Sequence, residues 1–263
     1  MHKWASALGL GEMSGIDLPS EIQGIMPSTQ WKRQKYNEKW YAGETISVAI
    51  GQGQVSVTPI SLAVMAMTVA NGGTRHQPHL VRAVDDGNGK GWEAYPAPKP
   101  RSEVHMKQAT IDAVHDGLYM VVNEAGTARR ARVDGRDVAG KTGTAQVISN
   151  QGKARAAKSG RDLRDHGFFV FFAPAKNPEV AGVVFAEHSE HGSSAAPIAK
   201  YMIETYFAKK EGKPMPVYPE PPKNPLPPPN DEDAVIAGID VPGAIAVAPP
   251  VAPASRVGHR GGN

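Results

Sequence analysis

Of the 23 prolines in this 263-residue chain, 13 fall in the last 53 positions, and that uneven distribution limits what the chain can fold into. Proline lacks the backbone donor that helices and sheet ladders need. The stretch EGKPMPVYPEPPKNPLPPPNDEDAVIAGIDVPGAIAVAPPVAPASRVGHRGGN, residues 211–263, carries a single aromatic residue, Tyr218. A segment with so little to bury is read as a disordered or polyproline tail. Residues 1–210 are read as the folded part, long enough for one sizeable core.

Within that part, residues 1–45 are crowded with turn residues and show no sustained period. The segment ETISVAIGQG, residues 44–53, alternates toward a strand and stops at two glycines. In TPISLAVMAMTVANGG, residues 58–73, Thr58 suits an N-cap, Pro59 the first helical position and Asn71-Gly72-Gly73 the stop. Leu62, Val64, Met65, Met67 and Val69 make this helix apolar on nearly every face, which predicts burial. Residues 74–104 read as loop. Ile111, Val114, Leu118 and Val121 then place one apolar stripe on a helix over 105–123. FFVFFAP, the turn AKNPE and VAGVVFAEH read as two neighbouring strands. In SSAAPIAKYMIETYF a serine cap and Pro197 open a closing helix with Ile198, Met202 and Tyr206 on one face.

The chain has no cysteine, which excludes disulfides, thiolate nucleophiles and thiolate zinc sites. A net charge of +3 gives no argument for a nucleic-acid partner. Lys and Arg outnumber acids between Arg129 and Arg164, which reads as a solvated loop region or as attraction toward an acidic substrate or a membrane surface. No apolar run near Met1 is long enough for a signal peptide or a membrane span, so any targeting segment or anchor is expected outside this chain. Glu187, His188, Glu190 and His191 cluster before the closing helix, and without a third ligand nearby they read as a polar loop, with no metal expected. Trp4, Trp31, Trp40 and Trp92 are dispersed and read as packing residues.

GRDVAGKTGTAQV, residues 135–147, satisfies two incompatible patterns. Gly135, Gly140, Lys141 and Thr142 fit the phosphate loop G-x-x-x-x-G-K-[ST], whereas Lys141, Thr142 and Gly143 fit the K-T-G of penicillin-binding serine acyltransferases. A phosphate loop needs a strand before its first glycine and a helix beginning at its lysine, so that free N–H groups and the positive helix end point at phosphate. TARRARVD before Gly135 has no strand character, and GTAQVIS after Thr142 favours a strand. An acid at the end of the apolar run Val183 to Ala186, Glu187, adds little to a nucleotide-hydrolase reading, which stays as a remote alternative.

The neighbours of K-T-G carry more. GIDLPSE, AIGQG, TPISLAVMAMTVANGG, AGKTGTAQV, HGFFVFFAPAKNPEVAGVVF and SAAPIAKYMIETYF together resemble, in order and spacing over residues 1 to about 210, the C-terminal part of the transpeptidase domain of class B penicillin-binding proteins. The likeness is nearest to the elongation-type penicillin-binding protein 2 group, peptidoglycan D,D-transpeptidases. It implies an α+β three-layer sandwich of the penicillin-binding and β-lactamase type, an antiparallel sheet flanked by helices, incomplete at the N-terminus. It implies acyl transfer from D-Ala-D-Ala stem peptides in cell-wall cross-linking and cell-shape maintenance, with no cofactor. β-Lactams would be ligands, inner-membrane cell-wall synthesis machinery would be partners, and the periplasmic face of a bacterial inner membrane the location.

The resemblance also implies roles at the matching positions. Lys141 supplies positive charge near the nucleophile and substrate carboxylate, and the hydroxyls of Thr142 and Thr144 bind that carboxylate. Gly143 leaves room for substrate backbone, and the N–H of Thr144 is an oxyanion donor. The departure is that none of the fourteen serines has Lys three positions later, and none has Asn or Asp two positions later. The S-x-x-K nucleophile and the S-x-N or S-x-D motif are therefore missing, and the chain reads as a fragment expected to be inactive alone. A non-catalytic interaction protein that kept the fold is the alternative.

Overall fold

A strand as apolar as HGFFVFFA is expected to be covered on both faces. In the computed structural model, which describes residues 1–147 and 162–218, this segment is the central strand of three. Strands β1 to β4 (Thr74–Arg75, Ala83–Val84, Glu93–Ala94 and Ser102–Glu103) form two small ribbons, β1 with β4 and β2 with β3. The main sheet follows in the order β5 (Ala139–Ala145), β6 (His166–Ala173), β7 (Val180–Ala186), antiparallel throughout. Lys141 stands opposite Val170 and Gly143 opposite Phe168, and on the other side Val170 stands opposite Val183.

The period of two sends Phe169 and Phe171 to one face and Phe168, Val170 and Phe172 to the other. Phe169, Phe171 and Phe172 are buried on opposite sides of one backbone. Glycines on the flanking strands make room for the rings. A Cβ at Gly140 would lie 2.5 Å from the Phe169 ring, at Gly143 2.0 Å from Phe168, and at Gly182 2.9 Å from Phe171. Phe168, Phe169 and Phe171 thus each lie across a glycine of a neighbouring strand, the arrangement by which aromatic rings shield strand glycines, whereas Phe172 stands between Ala139 and Ala181.

Helices cover both faces. On the Phe169 and Phe171 side, the closing helix presents Ala196, Ala199, Ile203 and Phe207, all buried. On the other side, α4 (Pro59–Ala70) lays Leu62 and Ala66 against Val170, and α5 (Gln108–Asn123) brings Leu118 and Tyr119 to Phe172 and Ala139. The result is helix, sheet, helix, as the resemblance implies.

The start of α4 is as the sequence predicts: Thr58 Oγ1 accepts from Ser61 N at 3.3 Å, with Pro59 in the first turn. Other expectations need correction. Two helices, α1 (His2–Ala7) and α2 (Thr29–Tyr36), lie in the turn-rich region, α2 capped by Ser28 Oγ accepting from Trp31 N at 3.0 Å. ETISVAIGQG does not form a strand but continues α3 (Ala42–Ala49). Glu44 decides this: one carboxylate oxygen accepts the Tyr41 N–H at 2.7 Å and closes the first turn, and the other takes Lys32 Nζ at 2.6 Å. Of the alternating Ile46, Val48 and Ile50, only Val48 is buried. Helix α5 starts three residues later than expected, and its inward face carries Ile111, His115, Leu118, Tyr119 and Val122, with Val114 exposed.

The closing helix, α6 (Ala196–Glu211), exposes Met202 and Tyr206. Its buried stripe begins with two alanines, Ala196 and Ala199, that let the helix approach the sheet and carry too little apolar area to mark the period in the sequence. Ser194 does not cap it; its hydroxyl donates to Ser189 O at 3.2 Å. Helix α6 ends at Glu211 with Gly212 in the left-handed region, and the Tyr218 ring meets Tyr201 edge to face at 4.9 Å. The rest of the proline-rich stretch, residues 219–263, lies outside the described residues.

Candidate functional site

The motif with two readings falls in the middle of β5. Gly135 sits in a left-handed turn bracketed by the Val133–Arg136 bridge, and Lys141 and Thr142 are strand residues from which no helix begins. A phosphate loop requires the lysine at a helix N-terminus; the nucleotide reading is overturned. β5 pairs with β6 on one side and has no other strand beside it among the described residues.

Alternation places Lys141 and Gly143 on the face of α4 and α5, and Thr142 and Thr144 on the face of α6. Lys141 is exposed; its Nζ donates to the carbonyl of Thr142 at 2.8 Å, and among the described residues no carboxylate pairs with it. Thr142 Oγ1 shares a hydrogen bond of 2.7 Å with Thr127 Oγ1, a residue in the turn after α5. Thr144 Oγ1 accepts from Gly192 N at 3.3 Å. The space beside Gly143 is filled by the Phe168 ring, so the missing side chain first serves the protein's own packing.

A short loop after β7 straps this end of the sheet. Ser189 Oγ accepts from Gly167 N at 3.0 Å and donates to Ala186 O at 3.0 Å, and Glu190 N donates to Asp165 O at 2.9 Å. His188 and Glu190 hold left-handed backbone angles, φ 50° and 65°. Gly192 lies so close over the motif that a Cβ there would be 2.4 Å from Gly143 O and 2.7 Å from Gly143 N. The His188 ring lies tilted against the His166 ring, centroids 4.7 Å apart, and the backbone N–H of His188 donates to His166 Nδ1 at 3.0 Å. Asp162, 4.0 Å from His188, is held well below the usual carboxylate range by hydrogen bonds from the Arg164 side chain and backbone. Glu187, His188, Glu190 and His191 do not converge, and no group of three His, Asp or Glu side chains suited to a metal occurs among the described residues.

The structure therefore brings Lys141, Thr142, Gly143 and Thr144 together on one strand and adds Thr127, Phe168 and Gly192 as their immediate partners. Sequence reasoning missed Thr127 and Gly192. The first is one hydroxyl in a charged stretch and the second one glycine among many, and only the fold joins them to β5.

Residues 1–204 match the family described as penicillin binding protein transpeptidase domain. The chain is 39% identical over 226 residues to the peptidoglycan D,D-transpeptidase MrdA of Acinetobacter baumannii, covering 82% of this chain and 32% of that protein. With the Escherichia coli K12 protein of the same name it shares 32% identity over 209 residues, 78% of this chain and 32% of the relative. The chain thus spans about a third of the length of these curated relatives. Among solved structures, Pseudomonas aeruginosa PBP2 in complex with WCK 5153 superposes with a TM-score of 0.66 at 36% identity, over 81% of this chain and 43% of that one. Helicobacter pylori PBP2 in its complex with MreC gives 0.62 at 29% identity, over 80% of this chain and 36% of that one.

Proposed function

The chain belongs to the penicillin binding protein transpeptidase domain family, and from that premise we propose that it forms the K-T-G wall of a peptidoglycan D,D-transpeptidase site. The observation that carries the reading is the position of Lys141 to Thr144 on β5, a strand with one edge unpaired among the described residues, inside a matched domain. An unpaired edge can accept an extended peptide. The substrate class is a stem peptide ending in D-Ala-D-Ala, with β-lactams as its mimics.

In this proposal a serine hydroxyl attacks the penultimate carbonyl while a lysine takes its proton. The Thr144 N–H receives the negative charge that develops on the carbonyl oxygen. The C–N bond breaks, D-alanine leaves with a proton on its amine, and an amine of a neighbouring strand then displaces the serine ester. Lys141 supplies charge to the terminal carboxylate, Thr142 and Thr144 supply hydroxyls, and Gly143 keeps the strand free of a side chain at that point. Since no serine of this chain has the S-x-x-K pattern, the nucleophile is supplied by protein outside these 263 residues.

Residues 1–210 act as one part of that domain. The relatives' activity, and the MreC contact of the Helicobacter pylori protein, suggest a partner within the cell-wall elongation machinery at the periplasmic face of the inner membrane. No helix among the described residues is long and apolar enough to cross a membrane.

Labelling with a fluorescent penicillin tests the proposal. The 263-residue chain alone should form no adduct, because the ester needs a lysine-activated serine. Joined to the part of the Acinetobacter baumannii relative that lies outside the matched third, it should be labelled, and Lys141→Ala should slow acylation by roughly 10²- to 10³-fold. Thr142→Val should cost less, since it removes one neutral donor. Adduct formation by the isolated chain, or indifference of the joined protein to Lys141, would defeat the assignment. A joined protein that folds but takes no label would favour a non-catalytic interaction protein.

A further inference from the structure

Thr127 and Thr142 each own one hydroxyl proton, and their oxygens are 2.7 Å apart. One proton lies between them and the other remains available. Neither hydroxyl makes a further hydrogen bond among the described residues. An acceptor-only group, such as a carboxylate, can bind Thr142 only through the Thr142 proton. When it does, the proton between the two oxygens must come from Thr127. The chain of donors then runs Thr127 to Thr142 to carboxylate, each bond polarising the next.

A residue can impose that order only if its own place is fixed, and Thr127 is held from both sides. Ala128 is fully buried, and its N–H donates to Val121 O at 3.1 Å. Gly126 is pressed against α5, where a Cβ would lie 2.3 Å from both Cα and O of Val121. Asn123, at the end of α5, donates from Nδ2 to Val138 O at 2.7 Å and ties the helix to the approach of β5. The Thr127 side chain is exposed, but the backbone carrying it is clamped between the helix and the strand.

We infer that Thr127 is a positioning residue of the site: it fixes the rotamer of Thr142 and turns the Thr142 proton outward, toward the carboxylate of a peptide or β-lactam ligand. The ligand part of this inference rests on the function proposed above; the effect on Thr142 does not.

Two measurements separate them. In the 263-residue chain, three-bond couplings from the backbone ¹⁵N and ¹³C′ nuclei to Thr142 Cγ2 report its χ1 rotamer. One rotamer is expected in the native chain and in Thr127→Ser, and averaging in Thr127→Val, which keeps the shape and removes the hydroxyl. The same single rotamer in all three would overturn the inference whether or not the chain belongs to an active enzyme. In the joined, labelling-competent protein, Thr127→Val should weaken the pre-covalent binding of a penicillin about 10-fold, the order expected for one hydrogen bond serving a charged group, with little change in the limiting acylation rate. Thr127→Ser should restore it, and the methyl ester of the same penicillin, which lacks the carboxylate, should react equally with native and Thr127→Val protein. Equal binding of the free acid by both would overturn the inference and leave the proposed function standing. Failure of the native joined protein to label would remove the function, and the couplings would still decide the role of Thr127.

Discussion

Gly143→Ala should destabilise the fold through a single ring. The added Cβ would lie 2.0, 2.4 and 2.6 Å from three atoms of Phe168, where carbon contacts normally begin near 3.5 Å. The ring must move by more than about 1 Å, and it packs with the Leu62, Ala66 and Val170 cluster beneath α4. Such overpacking costs about 1–3 kcal/mol. The backbone at Gly143 opposes this: it is an ordinary strand residue without positive φ, so alanine there should by itself add about 0.4–1 kcal/mol by restricting the unfolded chain. A net loss of about 1–2 kcal/mol is expected from these opposing effects. In a Phe168→Ala background the clash is absent, and Gly143→Ala should become neutral or slightly stabilising. The coupling between the two positions is then about 1–3 kcal/mol, well outside the error of additivity. Urea unfolding of the four proteins, followed by tryptophan fluorescence, measures it. If Gly143→Ala costs the same with and without the ring, the account of this glycine as a seat for Phe168 is wrong.

Two further outcomes follow from other parts of the fold. Burial of Glu44 works against its charge, but hydrogen bonds from Lys32 and from the Tyr41 N–H outweigh it and hold the carboxyl below its ordinary value, while Lys32 is raised chiefly by its bond to Glu44. A carboxyl depressed on folding contributes stability above its unfolded pKa and loses it as pH falls through the folded one. Amide protection in α3, corrected for intrinsic exchange, should therefore drop as pH falls below the usual carboxylate range, and Glu44→Gln should show the lower protection already at neutral pH. Calorimetric titration with Mg-ATP should show no stoichiometric binding, because Lys141 lies in mid-strand; a micromolar site abolished by Lys141→Ala would contradict the K-T-G reading.

The parts of the fold legible in the sequence are those fixed by local chemistry. Thr58, Pro59 and Asn71 bracket α4 because caps and proline act within one turn. β6 and β7 are legible because an apolar run interrupted by AKNPE leaves few other choices. Where a distant partner decides, the sequence misleads. The alternation of Ile46, Val48 and Ile50 favours a strand until Glu44 is seen to close the first turn of α3 while holding Lys32. The period of Ile198, Met202 and Tyr206 picks the wrong face of α6, because the inward stripe opens with alanines whose value lies in closeness to the sheet rather than in apolar area.

The same distinction runs through the site. The letters K-T-G-T state which groups are offered, but three of the four positions are set by residues far away in sequence. Thr142 is met by Thr127, Gly143 by Phe168, and Thr144 by Gly192. A site built this way costs little reorganisation when a ligand arrives, since its hydroxyls and backbone are already held by packed neighbours. Lys141 differs: among the described residues its ammonium bonds only to the adjacent carbonyl of Thr142, and it is exposed. A bond of that kind is readily exchanged for one to an anion, because the carbonyl can return to water while the ammonium turns toward the stronger acceptor. The strand thus combines three members fixed by the fold with one cation left responsive to charge, the division of labour that the carboxylate recognition proposed above would call for.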